Sequence, residues 1–497
     1  MGKICLAIML FLMSFGLTKA ANAEDNLLTL GVVFSNHMVL QRDKPVTIYG
    51  KARPGDSVEV VFLSKKLSVR AISSGQWKVT FPALKQGGPF EITVSANDQK
   101  IVLSDILIGD VWLCSGQSNM EFKLKDSETG RQELKRTNFN SQIRLFRMGS
   151  LVSTGDFSWD PATLEKVNQF EFFSGNWNIL NATSAASFSA IAYYFVKKIQ
   201  ESERVPIGLI QVALGGSPTE SWIDRSLLGG DEQFAGMLGN WQNSEDVMQW
   251  CRERAAVNVA HAKSAEQKHP YQPGYNFQAG IAHFTSFPIA GVIWYQGESN
   301  VFNVPLHARL FEILVKSWRQ KWGYEFPFYY VQLSGINRHE WPEFRDSQRR
   351  MLKIIPNSGM AVSYDLGDSL NVHPIRKKEI ADRLAAIAMQ DFYRKNITAN
   401  GPVLEKANKR NGEIILEFSS AKKLLTQGNA ALTGFETIDS EGKRLPAKAV
   451  IKSNTVRIRV SAGENIKAVL YAYQPFTRAN LCNEAGIPAS TFSIYVQ

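Results

Sequence analysis

Five short and almost wholly apolar runs, separated by stretches with helical periodicity, constrain the fold of this chain more than any other feature. The runs span residues 106–114, 207–214, 291–295, 326–333 and 360–364. Strands that are apolar on both faces are typical of a parallel sheet covered by helices on both sides. The pattern therefore predicts a three-layer α/β domain with a five-stranded parallel sheet over residues 105–395.

The stretches between these runs indicate helices. Apolar residues recur every three or four positions in residues 188–199, 306–314 and 380–387, and Pro342 begins a further helix. Residues 229–275 are richer in polar side chains. We expect this stretch to be an excursion from the domain, with a helix around residues 247–263.

Alternating apolar and polar residues on both sides of this region predict strands with no helices between them. The runs at 46–50, 57–62, 76–81 and 90–94 indicate an N-terminal β domain over residues 24–104. Similar runs after residue 401 indicate a C-terminal β domain over residues 396–497. Both are expected to be accessory, β-sandwich-like domains.

Residues 1–23 have the features of a secretory signal peptide. Lys3 provides the positive start, a short apolar core follows, and the small-x-small sequence Ala21-Asn22-Ala23 precedes Glu24. The apolar core is too short to span a membrane. We therefore expect an exported protein, periplasmic or extracellular, with no stable membrane insertion.

Charge and cysteine content exclude several classes of protein. Loss of Lys3 and Lys19 with the leader lowers the formal net charge from +10 to +8, and the basic residues are scattered, so no nucleic-acid partner is expected. The remaining cysteines, Cys114, Cys251 and Cys482, are an odd set and predict no disulfide framework, although one Cys251–Cys482 bridge is left open. Cysteines and histidines do not cluster at metal-ligand spacing, so neither a metal nor an organic cofactor is expected.

The loops after the apolar runs carry the candidates for chemistry. Open α/β sheets place reacting groups just past the carboxyl ends of their strands. Ser118 follows the first run, Gly215 and Gly216 follow the second, and Gln296 follows the third. The backbone N–H groups of the glycines and the side-chain amide of Gln296 are candidate donors to an oxyanion.

The loop after the fifth run supplies a candidate base. Of the seven histidines, we select His373 because it combines a strand end, nearby carboxylates and a following helix. A serine hydroxyl becomes a good nucleophile when a base accepts its proton and a carboxylate orients that base. Ser118, Asp368 and His373 together predict a serine hydrolase. The alternative is that His373 only caps the helix that follows.

At these positions the chain resembles the SGNH hydrolases and, within them, the sialate O-acetylesterase family of carbohydrate esterases. Four ordered blocks carry the resemblance: GDVWLCSGQSNM at 109–120, GGSPTESW at 215–222, GVIWYQGESN at 291–300 and VHP at 372–374. Tyr275-Asn276 also fits the family pattern. The resemblance implies a flavodoxin-like SGNH domain, with Ser118 as the nucleophile and His373 as general base and then acid. It also implies oxyanion donors at the Ser118 backbone, at Gly215 or Gly216, and at Gln296.

One departure from the family pattern concerns the third member of the triad. The superfamily often has aspartate three residues before the histidine and its esterase relatives often have it two before, where this chain has Leu370 and Asn371. Asp368 is the best remaining carboxylate, followed by Asp365. A backbone carbonyl is the third alternative, and it would leave a dyad.

The prediction is a secreted esterase that removes O-acetyl groups from a sugar or glycan, most simply a sialic acid, with acetyl xylan as an alternative substrate. Trp222, Tyr275 and Glu298 are expected to shape the sugar or acetyl pocket. Two other functions compete: a glycoside hydrolase that uses Glu220 and Glu298, and a non-catalytic carbohydrate-binding protein built around the β domains. The oligomeric state is left open.

Overall fold

The N-terminal strands lead into the central sheet through one long strand. This computed structural model describes residues 28–136, 138–461 and 464–497, so the predicted signal peptide lies outside the described residues. The strands are β1 (Thr29–Leu30), β2 (Val39–Gln41), β3 (Val46–Lys51), β4 (Ser57–Phe62), β5 (Lys65–Arg70), β6 (Gln76–Phe81), β7 (Gly87–Ala96) and β8 (Gln99–Gly116). β8 pairs with β7 and β2 in its first half and with strands of the central sheet in its second half. The expected boundary between residues 104 and 105 therefore falls inside a continuous strand.

The four strands predicted in this region are present, and their alternation explains their packing. Along β6, Trp77, Val79 and Phe81 are buried while the residues between them are exposed. One face of the strand therefore contributes to the core and the other meets solvent, as the period of two requires.

The central region alternates strands with helices. Its strands are β9 (Ile143–Ser150), β10 (Phe173–Ser174), β11 (Trp177–Ile179), β12 (Ile207–Ala213), β13 (Gly291–Tyr295), β14 (Phe328–Val331) and β15 (Ser358–Ala361). Its helices are α1 (Ser118–Glu121), α2 (Gly130–Leu134), α3 (Pro161–Asn168), α4 (Ala182–Ala186), α5 (Ala190–Glu203), α6 (Arg225–Leu228), α7 (Ala235–Gly239), α8 (Gln249–Asn258), α9 (Tyr275–Ala279), α10 (Val304–Trp322), α11 (Trp341–Met351) and α12 (Lys377–Asp391).

In the described residues, the parallel part of this sheet has six strands, in the order β9-β12-β8-β13-β14-β15. The predicted number of five is wrong because β9 was missed. β9 carries Arg144 and Arg147, which interrupt its apolar pattern. Arg144 is nevertheless buried, and its guanidinium donates to the carboxylate of Asp105 at 3.0 Å.

The sheet has an apolar core on each face, which makes the three layers. Trp112 and Cys114 of β8 belong to the core formed with α5 and α12, whereas Val111 and Leu113 belong to the core formed with α10. Successive residues of a strand point to opposite faces, so a continuous apolar run fills both cores. α10 ends at Gly323, whose φ is 75°, as the sequence predicts. In the excursion, α8 is the helix expected around residues 247–263.

The C-terminal region is β-rich. Its strands are β16 (Val403–Arg410), β17 (Glu413–Ser419), β18 (Leu424–Thr426), β19 (Phe435–Asp439), β20 (Arg444–Pro446), β21 (Ala449–Lys452), β22 (Thr455–Arg459), β23 (Ile466–Tyr471), β24 (Leu481–Asn483) and β25 (Phe492–Tyr495). They form two four-stranded sheets, β16-β17-β22-β21 and β20-β19-β23-β25, and the pair β18-β24.

Arg345 of α11 joins this region to the α/β core. Its buried guanidinium donates to the backbone oxygens of Ala472 and Pro475, each at 3.0 Å, and to Thr491 Oγ1 at 3.0 Å. Burial lowers the pKa of Arg345 to about 10, which still leaves it charged at neutral pH.

Two further expectations concern the described residues. Cys114, Cys251 and Cys482 are buried free thiols, so Cys251 and Cys482 form no bridge. Within the described ranges, we find no helix that combines the length and the apolar character needed to cross a bilayer.

Candidate active site

Ser118 lies where β8 ends and α1 begins. Gly116 has a φ of 137°, and a Cβ at that position would lie 2.1 Å from the backbone oxygen of Tyr295, so the turn requires glycine. The N–H of Gln117 donates to the same oxygen at 3.0 Å. The turn is therefore held against β13 and presents Ser118 at the carboxyl edge of the sheet.

His373 reaches Ser118 from the loop between β15 and α12. Its Nε2 lies 2.8 Å from Ser118 Oγ, within hydrogen-bonding distance. Its backbone N–H donates to the Asn371 side-chain oxygen at 2.9 Å. The loops that follow β8 and β15 thus meet at one edge of the sheet, although 255 residues separate the two side chains.

The surroundings of His373 favour its neutral form. Partial burial lowers its pKa below the usual value, and the positive charges of Lys377 and Arg338 lower it further. A neutral imidazole is the form that can accept a proton from a serine hydroxyl.

The carboxylates predicted to orient His373 are engaged elsewhere. Asp368 is exposed, and its Oδ1 accepts hydrogen bonds from the N–H groups of Leu370 at 2.8 Å and Asn371 at 3.0 Å, which lower its pKa. Asp365 pairs with Arg383 through both oxygens, at 2.7 and 2.6 Å. In the described part of the chain, no carboxylate makes a hydrogen bond with His373.

Two residues with predicted backbone donors lie at a cavity of about 520 Å³. Gly215 and Gly216 line this cavity together with Ser118 and His373. The N–H of Gly215 donates to Glu121 Oε2 at 2.8 Å. Among the described residues, the N–H groups of Ser118 and Gly216 have no hydrogen-bond acceptor. These two N–H groups are the candidate donors to an oxyanion.

Gln296 does not line this cavity. Its side-chain N–H group donates to Asn300 Oδ1 at 2.7 Å, and its carbonyl accepts from Thr219 Oγ1 at 2.6 Å. Its amide is therefore already used to join the loops after β12 and β13, and the structure does not bring it to Ser118.

The residues predicted to contact a sugar divide into two groups. Trp222 and Tyr275 are buried in the core; the Trp222 indole N–H donates to Ser217 Oγ at 2.8 Å, and the Tyr275 hydroxyl donates to the Val167 carbonyl at 2.9 Å. Both are therefore packing residues. Glu298, by contrast, lines the cavity.

The paired carboxylates of the glycoside hydrolase alternative are not both at this cavity. Glu220 is fully buried outside the cavity lining, where its Oε2 accepts from the Asn300 side chain at 2.9 Å and burial raises its pKa to about 7. Glu298 therefore has no second carboxylate from the predicted pair with which to flank a glycosidic bond.

Sequence reasoning missed several residues of the cavity wall. Trp250 and Arg254 line it from one side of α8, Arg338 lines it near His373, and Glu121 lines it beside Ser118. Trp250 is 38% exposed, which is unusual for a tryptophan that also packs edge-on against Tyr271. The spacing of four between Trp250 and Arg254 on a predicted helix was the signal that they share a face.

Glu121 is the acidic group nearest to the glycine pair. Burial raises the pKa of its carboxyl group, and the hydrogen bond from Gly215 and the charges of Arg147 and Lys123 oppose that rise. No group of three or more His, Cys, Asp or Glu side chains within residues 28–136, 138–461 and 464–497 is arranged to hold a metal ion.

Comparisons with known proteins match this chain to carbohydrate esterases by family model, by sequence and by structure. The model of the family described as "carbohydrate esterase, sialic acid-specific acetylesterase" matches residues 108–390, which is more than half of the chain. The sialate O-acetylesterase of Mus musculus is 28% identical over 468 residues, covering 83% of each chain, and that of Homo sapiens is 28% identical over 416 residues, covering 75% of this chain and 72% of the human one.

The crystal structure of a carbohydrate acetylesterase from Xanthomonas citri superposes with a TM-score of 0.77. It is 28% identical in sequence, and the superposition covers 94% of this chain and 99% of that one. The similarity therefore extends beyond the α/β region to both β-rich flanks.

Proposed function

The chain belongs to the sialic acid-specific acetylesterase family of carbohydrate esterases, and we propose that it hydrolyses O-acetyl esters of sugars with Ser118 as nucleophile and His373 as base. The observation that carries this proposal is the 2.8 Å contact between Ser118 Oγ and His373 Nε2 in a cavity large enough for a sugar. We also propose that the parallel sheet is that of an SGNH hydrolase. Without the edge strand β9, the five strands β12-β8-β13-β14-β15 have the flavodoxin-like order 2-1-3-4-5, and the site lies at their carboxyl ends, which supports this assignment.

The first half of the reaction forms an acetyl-enzyme. Ser118 Oγ attacks the acetyl carbonyl carbon while its proton passes to His373 Nε2. The carbonyl oxygen becomes an oxyanion, which the N–H groups of Ser118 and Gly216 bind. The bond to the sugar oxygen then breaks, and His373 returns the proton to that oxygen, so the sugar leaves as an alcohol and the acetyl group remains on Ser118.

The second half releases acetate. A water molecule gives one proton to His373 and attacks the same carbonyl carbon. The bond to Ser118 Oγ breaks, His373 returns its proton to the serine, and the product leaves as acetic acid, which ionises to acetate in water. Because His373 is neutral at the start of both halves, the low pKa described above suits both steps.

An O-acetylated sialic acid is the substrate we propose. The mouse and human relatives are sialate O-acetylesterases. Arg254 and Arg338 line the cavity, and a sialic acid carries a carboxylate that a guanidinium can bind. Trp250 offers an exposed aromatic face, which suits packing against a sugar ring.

Acetate release tests the function and its substrate together. We expect the purified protein to release acetate from O-acetylated sialic acid faster than from acetylated xylo-oligosaccharide, and a fluorophosphonate to form a stable adduct on Ser118. Ser118→Ala should abolish both, whereas Ser202→Ala, at an exposed serine on α5, should change neither. Unimpaired acetate release by Ser118→Ala would refute the mechanism. Preference for the xylo-oligosaccharide would refute the substrate alone.

We propose that the protein is exported to the periplasm or the medium. The support is the leader-like sequence of residues 1–23. Expression of the full chain followed by fractionation and N-terminal analysis tests this, with a mature terminus at Glu24 as the expected result. A cytoplasmic protein that retains residues 1–23 would contradict it.

A further inference from the structure

We propose that Asn119, with the buried charged residues Lys377 and Glu298, holds Ser118 and His373 at reacting distance and so does the orienting work that a triad carboxylate does elsewhere. The three are positioning residues in the sense that they act through their neighbours. The inference rests on the proposed function for its activity measurements.

The side chain of Asn119 bridges the segments that carry the two reacting groups. Asn119 directly follows Ser118, and its Nδ2 donates to the backbone oxygen of Val372, which directly precedes His373, at 2.9 Å. One side chain therefore fixes the separation of two backbones that belong to loops at the ends of different strands.

Asn119 is itself held by a charged residue on each side. Its Nδ2 also donates to Glu298 Oε1 at 2.5 Å, and its Oδ1 accepts a hydrogen bond from Lys377 Nζ. Both amide N–H donations and the amide oxygen are thus engaged, which defines a single orientation of the amide group. Glu298 comes from the loop after β13 and Lys377 from the first turn of α12, so the bridge also ties these two elements to the site.

Asn119, Lys377 and Glu298 form this network in the interior of the protein. Asn119 is 1% exposed and Lys377 is fully buried, with its ammonium 4.7 Å from the centre of the Phe122 ring. A charged or polar group is expensive to bury unless hydrogen bonds and opposite charge compensate it. Burial lowers the pKa of Lys377 to about 7 while the charge of Glu298 opposes that shift. Glu298 lines the cavity, and its Oε2 is buried without a hydrogen-bond partner among the described residues.

The geometry of His373 explains why such a device is needed. In a triad, a carboxylate bonded to the second ring nitrogen holds the imidazole in place. Here two side chains hold the backbone of the loop around His373. The Asn371 side-chain oxygen accepts a hydrogen bond from the His373 N–H, and the Asn119 amide donates one to the Val372 carbonyl. A displacement of about 1 Å between reacting groups can cost roughly 10²-fold in rate, so loss of this support should appear mainly in kcat.

Charge links the same residues to the basicity of His373. Lys377 and Arg338 lower the pKa of His373, and Glu298 and Glu121 are the acidic groups at the cavity that contains it. Replacement of Lys377 by a neutral residue should therefore raise the pKa of His373, an effect that a merely packed side chain would not produce.

The sharpest experiment exchanges donor and acceptor between Asn119 and Glu298. Asn119→Asp keeps the size of the side chain and the acceptor for Lys377 but loses both donated hydrogen bonds. Adding Glu298→Gln restores a donor–acceptor pair between positions 119 and 298 but not the bond to the Val372 carbonyl. Glu298→Gln alone is the matched control, because it shows how much of any change comes from the loss of a carboxylate from the cavity wall.

We expect Asn119→Asp to lower both the melting temperature and kcat, with kcat falling roughly 10²-fold and KM changing less than threefold. The double variant should recover the melting temperature but not kcat. Recovery of kcat together with stability, or a folded Asn119→Asp enzyme within threefold of the wild-type kcat, would overturn the proposal.

A second pair of variants applies even if Asn119→Asp fails to fold. Lys377→Met should lower kcat and move the acidic limb of kcat/KM, and the pKa of His373 followed by NMR, to higher pH. Lys378→Met removes the same charge one residue along α12, from an exposed lysine paired with Asp382, and should change neither. An unmoved limb in Lys377→Met would contradict the inference.

Failure of the proposed function would look different. A wild-type protein that releases no acetate from any acetylated sugar would refute the function, whereas the rate of fluorophosphonate labelling of Ser118 in the same variants would still measure how well Ser118 and His373 are held. Equal labelling rates in wild-type, Asn119→Asp and Lys377→Met proteins would overturn the positioning role on its own.

Discussion

Removal of Asp368 is the perturbation that separates a Ser118–His373 dyad from a triad most directly. In a serine protease triad, disabling the carboxylate lowers kcat by about 10⁴-fold, because the histidine loses its orientation and tautomer. In this protein the carboxylate of Asp368 accepts hydrogen bonds from the N–H groups of Leu370 and Asn371 and none from His373. Asp368→Ala should therefore act only by loosening the turn before His373.

The expected magnitude follows from these contacts. The turn is exposed, and the bond from the His373 N–H to Asn371 and the bond from Asn119 to the Val372 carbonyl both remain in the variant. We expect kcat/KM to fall by less than about tenfold in Asp368→Ala, against a fall on the order of 10⁵-fold or more in His373→Ala, since loss of the base removes the activated nucleophile. Asp368→Asn is the matched control, because its amide oxygen can still accept from the same N–H groups.

The assay is acetate release from O-acetylated sialic acid, with the active concentration measured by fluorophosphonate titration and folding checked by thermal denaturation. A fall near 10⁴-fold in a correctly folded Asp368→Ala protein would refute the dyad. It would mean that the loop rearranges during turnover and brings Asp368 to His373.

Three further predictions test the site and the fold. Burial and the charges of Lys377 and Arg338 lower the pKa of His373, and the neutral imidazole is the active form. In a pH–rate profile, kcat/KM should therefore fall with decreasing pH only below about 6.5. A midpoint above that pH would contradict a lowered pKa of His373. Trp250→Ala should raise KM for sugar esters by about 2–10-fold and leave 4-nitrophenyl acetate hydrolysis nearly unchanged, and an equal effect on both substrates would argue against a sugar contact. Arg345→Met should lower the free energy of unfolding by about 3–5 kcal/mol in a denaturant titration, because buried carbonyl groups of the C-terminal region lose their donor. One buried carbonyl left unpaired costs at least about 1 kcal/mol. A smaller change would therefore show that these carbonyls find another partner.

From the sequence alone, the order of apolar runs and strand-end loops predicted that Ser118 and His373 meet at one edge of the sheet. Parallel strands bring their carboxyl ends to one edge of a sheet, so a serine after the first run and a histidine after the last predicted one could be placed together without coordinates. The limits of this reasoning are seen in β9. Its two arginines break the apolar pattern, and only the tertiary contact with Asp105 explains how Arg144 can be buried in a sheet strand.

The tertiary structure alone decided which neighbouring polar groups serve the site. Asp368, Gln296, Trp222 and Tyr275 all lie in the expected loops or motifs, yet each is engaged in local hydrogen bonds or in the core. Spacing along the chain sets the element on which a residue lies but not the partner that its side chain finds. The Val372–Asn119 bridge joins residues 253 positions apart, and such a contact depends on the packing of whole elements, which no local sequence pattern records.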